Sequence, residues 1–270
     1  MPTRTVITAN EPTLSEYFQQ VWNHRGLIIT LAKRDLKVKY AQTALGIVWT
    51  ILQPLVAMLV FTLFFSLLLE VEAGYPYVLF VLSGVVCWNL LNYIFSHGST
   101  SLMNNQELIR KVSFPKLVLP ISKVLVALVE FAISSVPLLL LMIWYQTGLH
   151  LGLLLFPFVI LLVVAFSLGV SLILAASTLR YRDLHHIIPF LINFGIWFTP
   201  VFYPVSLIPE KYAGFLYLNP MACFIGMFRW CLFGDELPVV ALVGILTAVI
   251  FLVIGLAYFR SVENRITETI

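Results

Sequence analysis

The side chains that could carry covalent chemistry are few and do not converge. Asp235-Glu236 and the pair Glu70 and Glu72 are the nearest carboxylate sets, and each borders an apolar block, where solvated surface is the plain reading. His185-His186 stands at the start of an apolar block and reads as interfacial rather than as a metal site. Cys87, Cys223 and Cys231 form neither a CxxC nor a zinc-ligand spacing. Cys87 reads as a small apolar residue, which leaves Cys223 with Cys231 as the one candidate disulfide. No GxxxxGK[ST] occurs, so the chain has no P-loop for ATP. No Ser-His-Asp set can be assembled either. The sequence therefore predicts no catalytic residue, no metal site and no cofactor, and points away from an enzyme.

The elements that position these side chains read as membrane spans. Of 270 residues, 60% are hydrophobic and 11% charged, against about a quarter charged in an ordinary soluble domain. A net charge of +3 is too small to suggest nucleic acid as a partner. A spanning helix needs about 20 mainly apolar residues. Six blocks qualify: Gly46 to Leu69, Tyr77 to Phe95, Val118 to Tyr145, Leu151 to Ser177, Ile187 to Phe202 and Pro238 to Phe259. The expected fold is all-α, a polytopic membrane protein with six transmembrane helices. The segment before the first block is polar and charged, so no cleavable signal peptide is expected. The chain divides into a cytoplasmic N-terminal segment, 1–45, and a transmembrane domain, 46–270.

Charge sets the orientation. Fourteen of the sixteen basic residues fall in the N-terminal segment, around the second-to-third and fourth-to-fifth connections, and in the tail. Only Lys211 and Arg229 fall on the other side. The positive-inside rule then puts both termini in the cytoplasm. Ala213 to Gly234 is apolar enough for a seventh span, but Asn219-Pro220 interrupts it, and proline lacks the N–H a continuous helix needs. A seventh span would also move Arg260 and Arg265 outside. This segment is expected to be an extracytoplasmic re-entrant hairpin of two short helices. Near the N-terminus, Leu14, Tyr17, Phe18, Val21 and Trp22 recur at helical spacing, which predicts an amphipathic helix in the membrane surface or packed on the protein. Glu130 lies deep in the third block and needs a partner there, with Lys123 two turns away as the candidate.

Four stretches resemble the membrane subunit of the ABC-2 polysaccharide and polyol exporters, which serve O-antigen, capsule and teichoic acid. They are RDLKVKYAQTALGIVWTILQPL from Arg34, NQELIRKVSFPKLVLP from Asn105, LRYRDLHHIIPFL from Leu179, and FTPVFYP followed by LNPMACFIGMFRW. The resemblance implies a homodimer in the bacterial cell inner membrane, pairing with two copies of a separate ABC ATPase. Its substrate would be a lipid-linked polysaccharide, most simply O-antigen on a polyprenyl pyrophosphate. Capsule, teichoic acid or a small hydrophobic molecule stay open as cargo, and a membrane-embedded transferase is the remote alternative. The resemblance makes Asn105, Gln106, Glu107, Leu108, Ile109, Arg110 and Lys111, with Phe114, the helix that couples to the ATPase; otherwise the stretch is a solvated loop. The run Arg34, Lys37 and Lys39 anchors the chain to anionic lipid, each cation being worth about 1 kcal/mol, or forms the substrate entrance for a pyrophosphate. The first and fifth spans would line the path, with Phe61, Phe65, Trp197 and Phe198 as wall residues. Asn219, Pro220 and Arg229 belong to the expected gate hairpin.

Overall fold

The computed structural model describes residues 13–41, 43, 45–68, 74–148, 150–181, 183–216, 218–234 and 241–269. Among these residues the secondary structure is helical throughout, with no strand. Glu70, Glu72, Asp235 and Glu236 lie outside them. Helix α1 (Leu14–Asn23) starts at a capping box. The Thr13 N–H donates to Glu16 Oε2 at 2.8 Å, and the Glu16 N–H donates to Thr13 Oγ1 at 3.4 Å, so two otherwise orphaned donors are satisfied. Tyr17 and Val21 turn into the protein, while Leu14, Phe18 and Trp22 remain exposed along an adjacent stripe. Helix α2 (Arg25–Ala41) buries Ile28, Leu31 and Ala32.

Helix α3 (Val48–Phe61) continues as a π-helical stretch through Leu68. Then come α4 (Tyr77–Ser99), α5 (Gln106–Lys111), α6 (Val118–Trp144), α7 (Phe156–Arg180) and α8 (Leu184–Gly195). Helices α9 (Glu210–Leu216), α10 (Pro220–Phe233) and α11 (Ala241–Thr269) complete the described order. Five helices are long and apolar enough to cross a membrane: α3 with its π extension, α4, α6, α7 with its preceding turn, and α11. Four of these match expected spans closely, and α11 extends further than expected.

The fifth expected span, Ile187 to Phe202, takes a different form. Its helix ends at Gly195 after 12 residues, and turns occupy the stretch to Phe202. Pro200 cannot donate a helical hydrogen bond, and the carbonyls of Pro200 and Val201 are taken by Arg229. The stretch tempting as a seventh span is two short helices, α9 and α10. Asn219 caps α10, its side chain accepting the Met221 N–H at 3.0 Å, with Pro220 in the first turn. Gly234 ends α10 in the left-handed conformation, φ 72°. Cys223 and Cys231 both lie on α10. Eight residues of helix separate them by about 12 Å, so the disulfide between them that the sequence allows cannot close.

Helix α4 is the central pillar. Buried residues make up 78% of its most apolar stretch, against 11% for α3 and 22% for α11. It packs on α3, α6, α7 and α10. A second core gathers at the other end of the bundle, where Tyr17, Ile28 and Leu31 meet Ile109, Phe114, Ala175 and Phe259. The elements round this second core carry most of the basic residues. Helices α7 and α11 pack with their backbones in contact: a Cβ added at Gly169 would overlap the Phe251 carbonyl, and one at Gly255 would overlap Gly169. Small residues permit such close approach between membrane helices. Gly169→Leu should therefore wedge α7 from α11 and cost roughly 1–3 kcal/mol. A thermal midpoint equal to wild type, measured on the detergent-purified protein, would contradict that packing.

Candidate functional site

Helix α2 lies along α6 and supplies the partners of both charges on it. Lys123 donates to Asp35 Oδ2, and Lys39 Nζ donates to Glu130 Oε1 at 2.6 Å. The Lys123–Glu130 pair suggested by sequence does not form. Seven residues climb about 10 Å along a helix, whereas a packed neighbour sets its side chains directly alongside. Arg34 Nη2 donates to Asp35 Oδ1 at 2.9 Å and to Asn105 Oδ1 at 3.0 Å. Asn105 in turn donates to the Ser101 carbonyl at 2.8 Å. A continuous chain of polar contacts thus joins α2, α6 and the start of α5. Burial pushes the Asp35 carboxyl up, but Lys123 and then Arg34 outweigh it and hold the carboxyl below the usual carboxylate range. Lys37, the third member of the basic run, is exposed.

Above this latch lies a cavity of about 410 Å³ between the end of α2, α3, α4 and α6. Lys39 and Glu130 form part of its wall, with Asn89 and Asn92 of α4. Tyr40, Trp49 and Tyr93 supply rings. Lys39 Nζ stands 5.3 Å from the Tyr93 ring centroid, and Tyr93 stacks on His97 with centroids 3.9 Å apart. The Tyr40 and Thr50 hydroxyls are hydrogen-bonded at 2.8 Å.

Helix α5 exists as expected, but its apolar side faces inward. Ile109 and Phe114 are buried in the second core. Leu108 is half-buried, as is Gln106, and Glu107, Arg110 and Lys111 are exposed. Lys111 reaches Glu107 at 3.4 Å across one turn. The surface α5 offers is therefore polar. Nearby, Glu263 near the end of α11 accepts from the Tyr17 hydroxyl and the Lys116 N–H, fastening α1 to the segment after α5. Burial, then the Glu263 charge, raise the Tyr17 hydroxyl pKa, so it remains a donor. Nothing in the sequence pattern singled out Glu263.

Three of the four aromatic residues named for a channel wall, Phe61, Phe65 and Trp197, come together. Phe61 stacks on Phe202 with centroids 3.4 Å apart and meets Trp197 edge-on at 5.9 Å. Phe61 and Phe65 lie 6.3 Å apart. Trp197 is 57% exposed and Phe198 71%, so this wall has an open face. Phe198 is the one member without a ring contact to the cluster among those described.

Arg229 of α10 is buried at the other end of the bundle and donates to backbone carbonyls of three residues. These are Phe80 at 3.0 Å, Pro200 at 2.8 Å and Val201 at 2.8 Å. Its guanidinium also covers the Phe80 ring at 3.5 Å. Gly84 makes room for it, since a Cβ there would come within 2.6 Å of Arg229 Nη2. Asn219 Nδ2 donates to Thr199 Oγ1 at 2.9 Å and to the Phe198 carbonyl at 3.2 Å. Arg229 and Asn219 thus tie α10 to the turns after α8 that carry Trp197 and Phe198.

Comparison with known proteins accords with this architecture. Residues 26–233 match the model of the ABC-2 type transporter family. The chain is 33% identical, over 82% of its length and 85% of the relative, to the O-antigen export system permease protein RfbA of Myxococcus xanthus. It is 27% identical to the protein of that name from Klebsiella pneumoniae, over 90% of this chain and 94% of the relative. The polysialic acid transport protein KpsM of Escherichia coli is 23% identical over 86% of this chain and 91% of that protein. With the family match spanning most of a helical, membrane-spanning chain, this protein belongs to the ABC-2 type transporters as a permease subunit and not an enzyme.

Proposed function

We propose that this chain is the membrane half of an ATP-driven exporter that moves a lipid-linked polysaccharide across the bacterial inner membrane. The observation that carries the reading is the similarity, over most of the chain, to O-antigen export permeases and a polysialic acid transport protein. Two copies assemble around a two-fold axis, since one bundle of this size is too small to enclose a wide path. Two copies of a separate ATPase dock at the basic end on the exposed polar surface of α5. Both termini are cytoplasmic. Helix α8 with the turns after it acts as the sixth crossing, and α9 with α10 forms a hairpin dipping in from outside. Helix α1 lies at the inner interface with Leu14, Phe18 and Trp22 toward lipid. Of the basic run, the exposed Lys37 attracts the anionic carrier to the inner leaflet, since Arg34 is held by Asp35 and Lys39 by Glu130. Phe61, Phe65, Trp197 and Phe198 form part of a conduit wall, where many weak ring contacts let a sugar chain slide.

Three measurements test this reading. A cysteine replacing Lys211 should label with an impermeant thiol reagent from outside, and one replacing Thr267 should not. Outside labelling at Thr267 would make the number of crossings odd and sink the hairpin. Glu107→Lys inverts a charge on the exposed face of α5 without touching the buried Ile109. It should reduce copurification of the ATPase and cut surface glycan about tenfold, the consequence of losing roughly 1.4 kcal/mol at a docking contact. Undiminished copurification would remove α5 from the docking surface. Replacing Phe61, Phe65, Trp197 and Phe198 together by alanine should abolish most surface glycan while the ATPase still copurifies. Wild-type glycan at wild-type protein level would show that these rings face lipid or protein only.

A further inference from the structure

The cavity between α2, α3, α4 and α6 has no part in the conduit wall: none of Phe61, Phe65, Trp197 or Phe198 lines it. We propose that it is a saccharide-binding site, which holds the sugar nearest the lipid carrier before the chain enters the conduit. The proposal rests on the polysaccharide-export reading given above.

Depth is the first argument. Asn89 lies ten residues from the basic end of α4 and Glu130 twelve from that of α6. Those spacings correspond to about 15 and 18 Å of helix, well inside a hydrocarbon core roughly 30 Å thick. Polar groups at that depth must face protein, water or a polar ligand. Here amides, hydroxyls and an ion pair are gathered round one shared space, with Tyr40 bonded to Thr50, Asn92 Oδ1 accepting from Ser96 and Lys39 paired with Glu130.

Charge is the second argument. Glu130 holds Lys39 at 2.6 Å, so the pair presents no net charge to the cavity. A phosphate would have to draw Lys39 away from a carboxylate that repels it. A neutral polyol can accept from the ammonium and donate to the carboxylate together. The third argument is the alternation of surfaces. Tyr40, Trp49 and Tyr93 offer rings, and Asn89, Asn92 and Thr50 offer amides and a hydroxyl. A sugar has C–H faces that pack on rings and hydroxyl edges that need both donors and acceptors. A volume of about 410 Å³ falls at the low end of small-ligand pockets. It suits a short saccharide unit and excludes a polymer. Helix α3 carries Trp49, Thr50 and Gln53 on the cavity and Phe61 and Phe65 on the aromatic wall. One span thus joins a holding site near the basic end to a sliding surface further along.

The test uses the permease–ATPase complex in lipid nanodiscs. The probe is a short oligosaccharide released by mild acid from the surface glycan of the producing cell, titrated by calorimetry. Wild type should bind it saturably. Asn92→Leu and, separately, Thr50→Val should weaken binding about tenfold, as loss of one or two buried hydrogen bonds does. Both variants should keep a cooperative thermal transition, and Trp144→Ala, an exposed ring at the far end of α6, should leave the affinity unchanged. Absence of saturable binding by wild type overturns the site. So does equal affinity in wild type and both folded cavity variants. Surface glycan in a permease-deletion strain carrying the wild-type gene separates the two levels. Restored glycan without saturable binding overturns the site alone, whereas no restoration overturns the export reading with it.

Discussion

A guanidinium in a bilayer must be surrounded by acceptors, and the non-basic half of this protein is arranged round that requirement. Arg229 costs on the order of 3 kcal/mol or more to place at membrane depth unless it is solvated by protein. The solvating groups are carbonyls of Phe80, Pro200 and Val201, two of them freed because α8 has already ended. The break in α8 and the burial of Arg229 are thus one feature seen from two sides. Each supplies what the other lacks: the turns have acceptors without helical donors, and the guanidinium has donors without water. Helix α10 is consequently fixed to α4 and to the turns bearing Trp197, and Asn219 adds a second tie at Thr199.

At the basic end the same rule is met with side-chain charges instead. Asp35 and Lys39 sit one turn apart on α2 and meet Lys123 and Glu130 of α6. The alternation of sign fixes the register of α2 on α6, because sliding by one turn would bring Asp35 beside Glu130. Arg34 extends the chain to Asn105, the residue that opens α5. A force on α5 therefore reaches α2 through hydrogen bonds and reaches α6 through the short segment around the buried Phe114.

What was legible in the sequence was whatever depends on local pattern. The apolar blocks mark the five long helices. Asn219-Pro220 marks the start of α10, because an N-cap followed by proline is a local instruction. The rings of the first and fifth blocks were legible as a group, and Phe61, Phe202 and Trp197 do meet. The Lys123–Glu130 pairing misled because spacing on one helix says nothing about which neighbour lies alongside it. The length of α8 misled for a related reason: Ile196 to Phe202 is as apolar as a helix needs, and its turns are held by an arginine nearly 30 residues later. Backbone carbonyls carry no sequence signature, so a residue whose partners are carbonyls cannot be recognised as a clamp. The cavity was invisible for a related cause, since its wall is assembled from residues of four elements that only the packing brings together.

Helix α4 connects the two ends. Phe80, Ser83 and Gly84 stand at the Arg229 clamp. One to three turns further, Asn89, Asn92 and Tyr93 stand at the cavity. The segment between is buried on all sides, with Leu82, Val86, Cys87 and Leu91 excluded from any outer surface. A helix so enclosed cannot slide or rotate without repacking most of the core, and close-packed cores resist continuous deformation. Helix α3 differs, with only a small share of its surface buried, and its π-helical end and Pro54 interrupt its regular hydrogen bonding. It packs on α4 and α6 with Pro54 and Met58 buried, has the cavity toward one end and the Phe61–Phe202 stack at the other, and leaves the rest of its surface open. Any change of shape that opens a path is accordingly cheapest on the α3 side, against a fixed α4. The same face is the one whose exposed apolar surface must be covered by lipid or by a second chain.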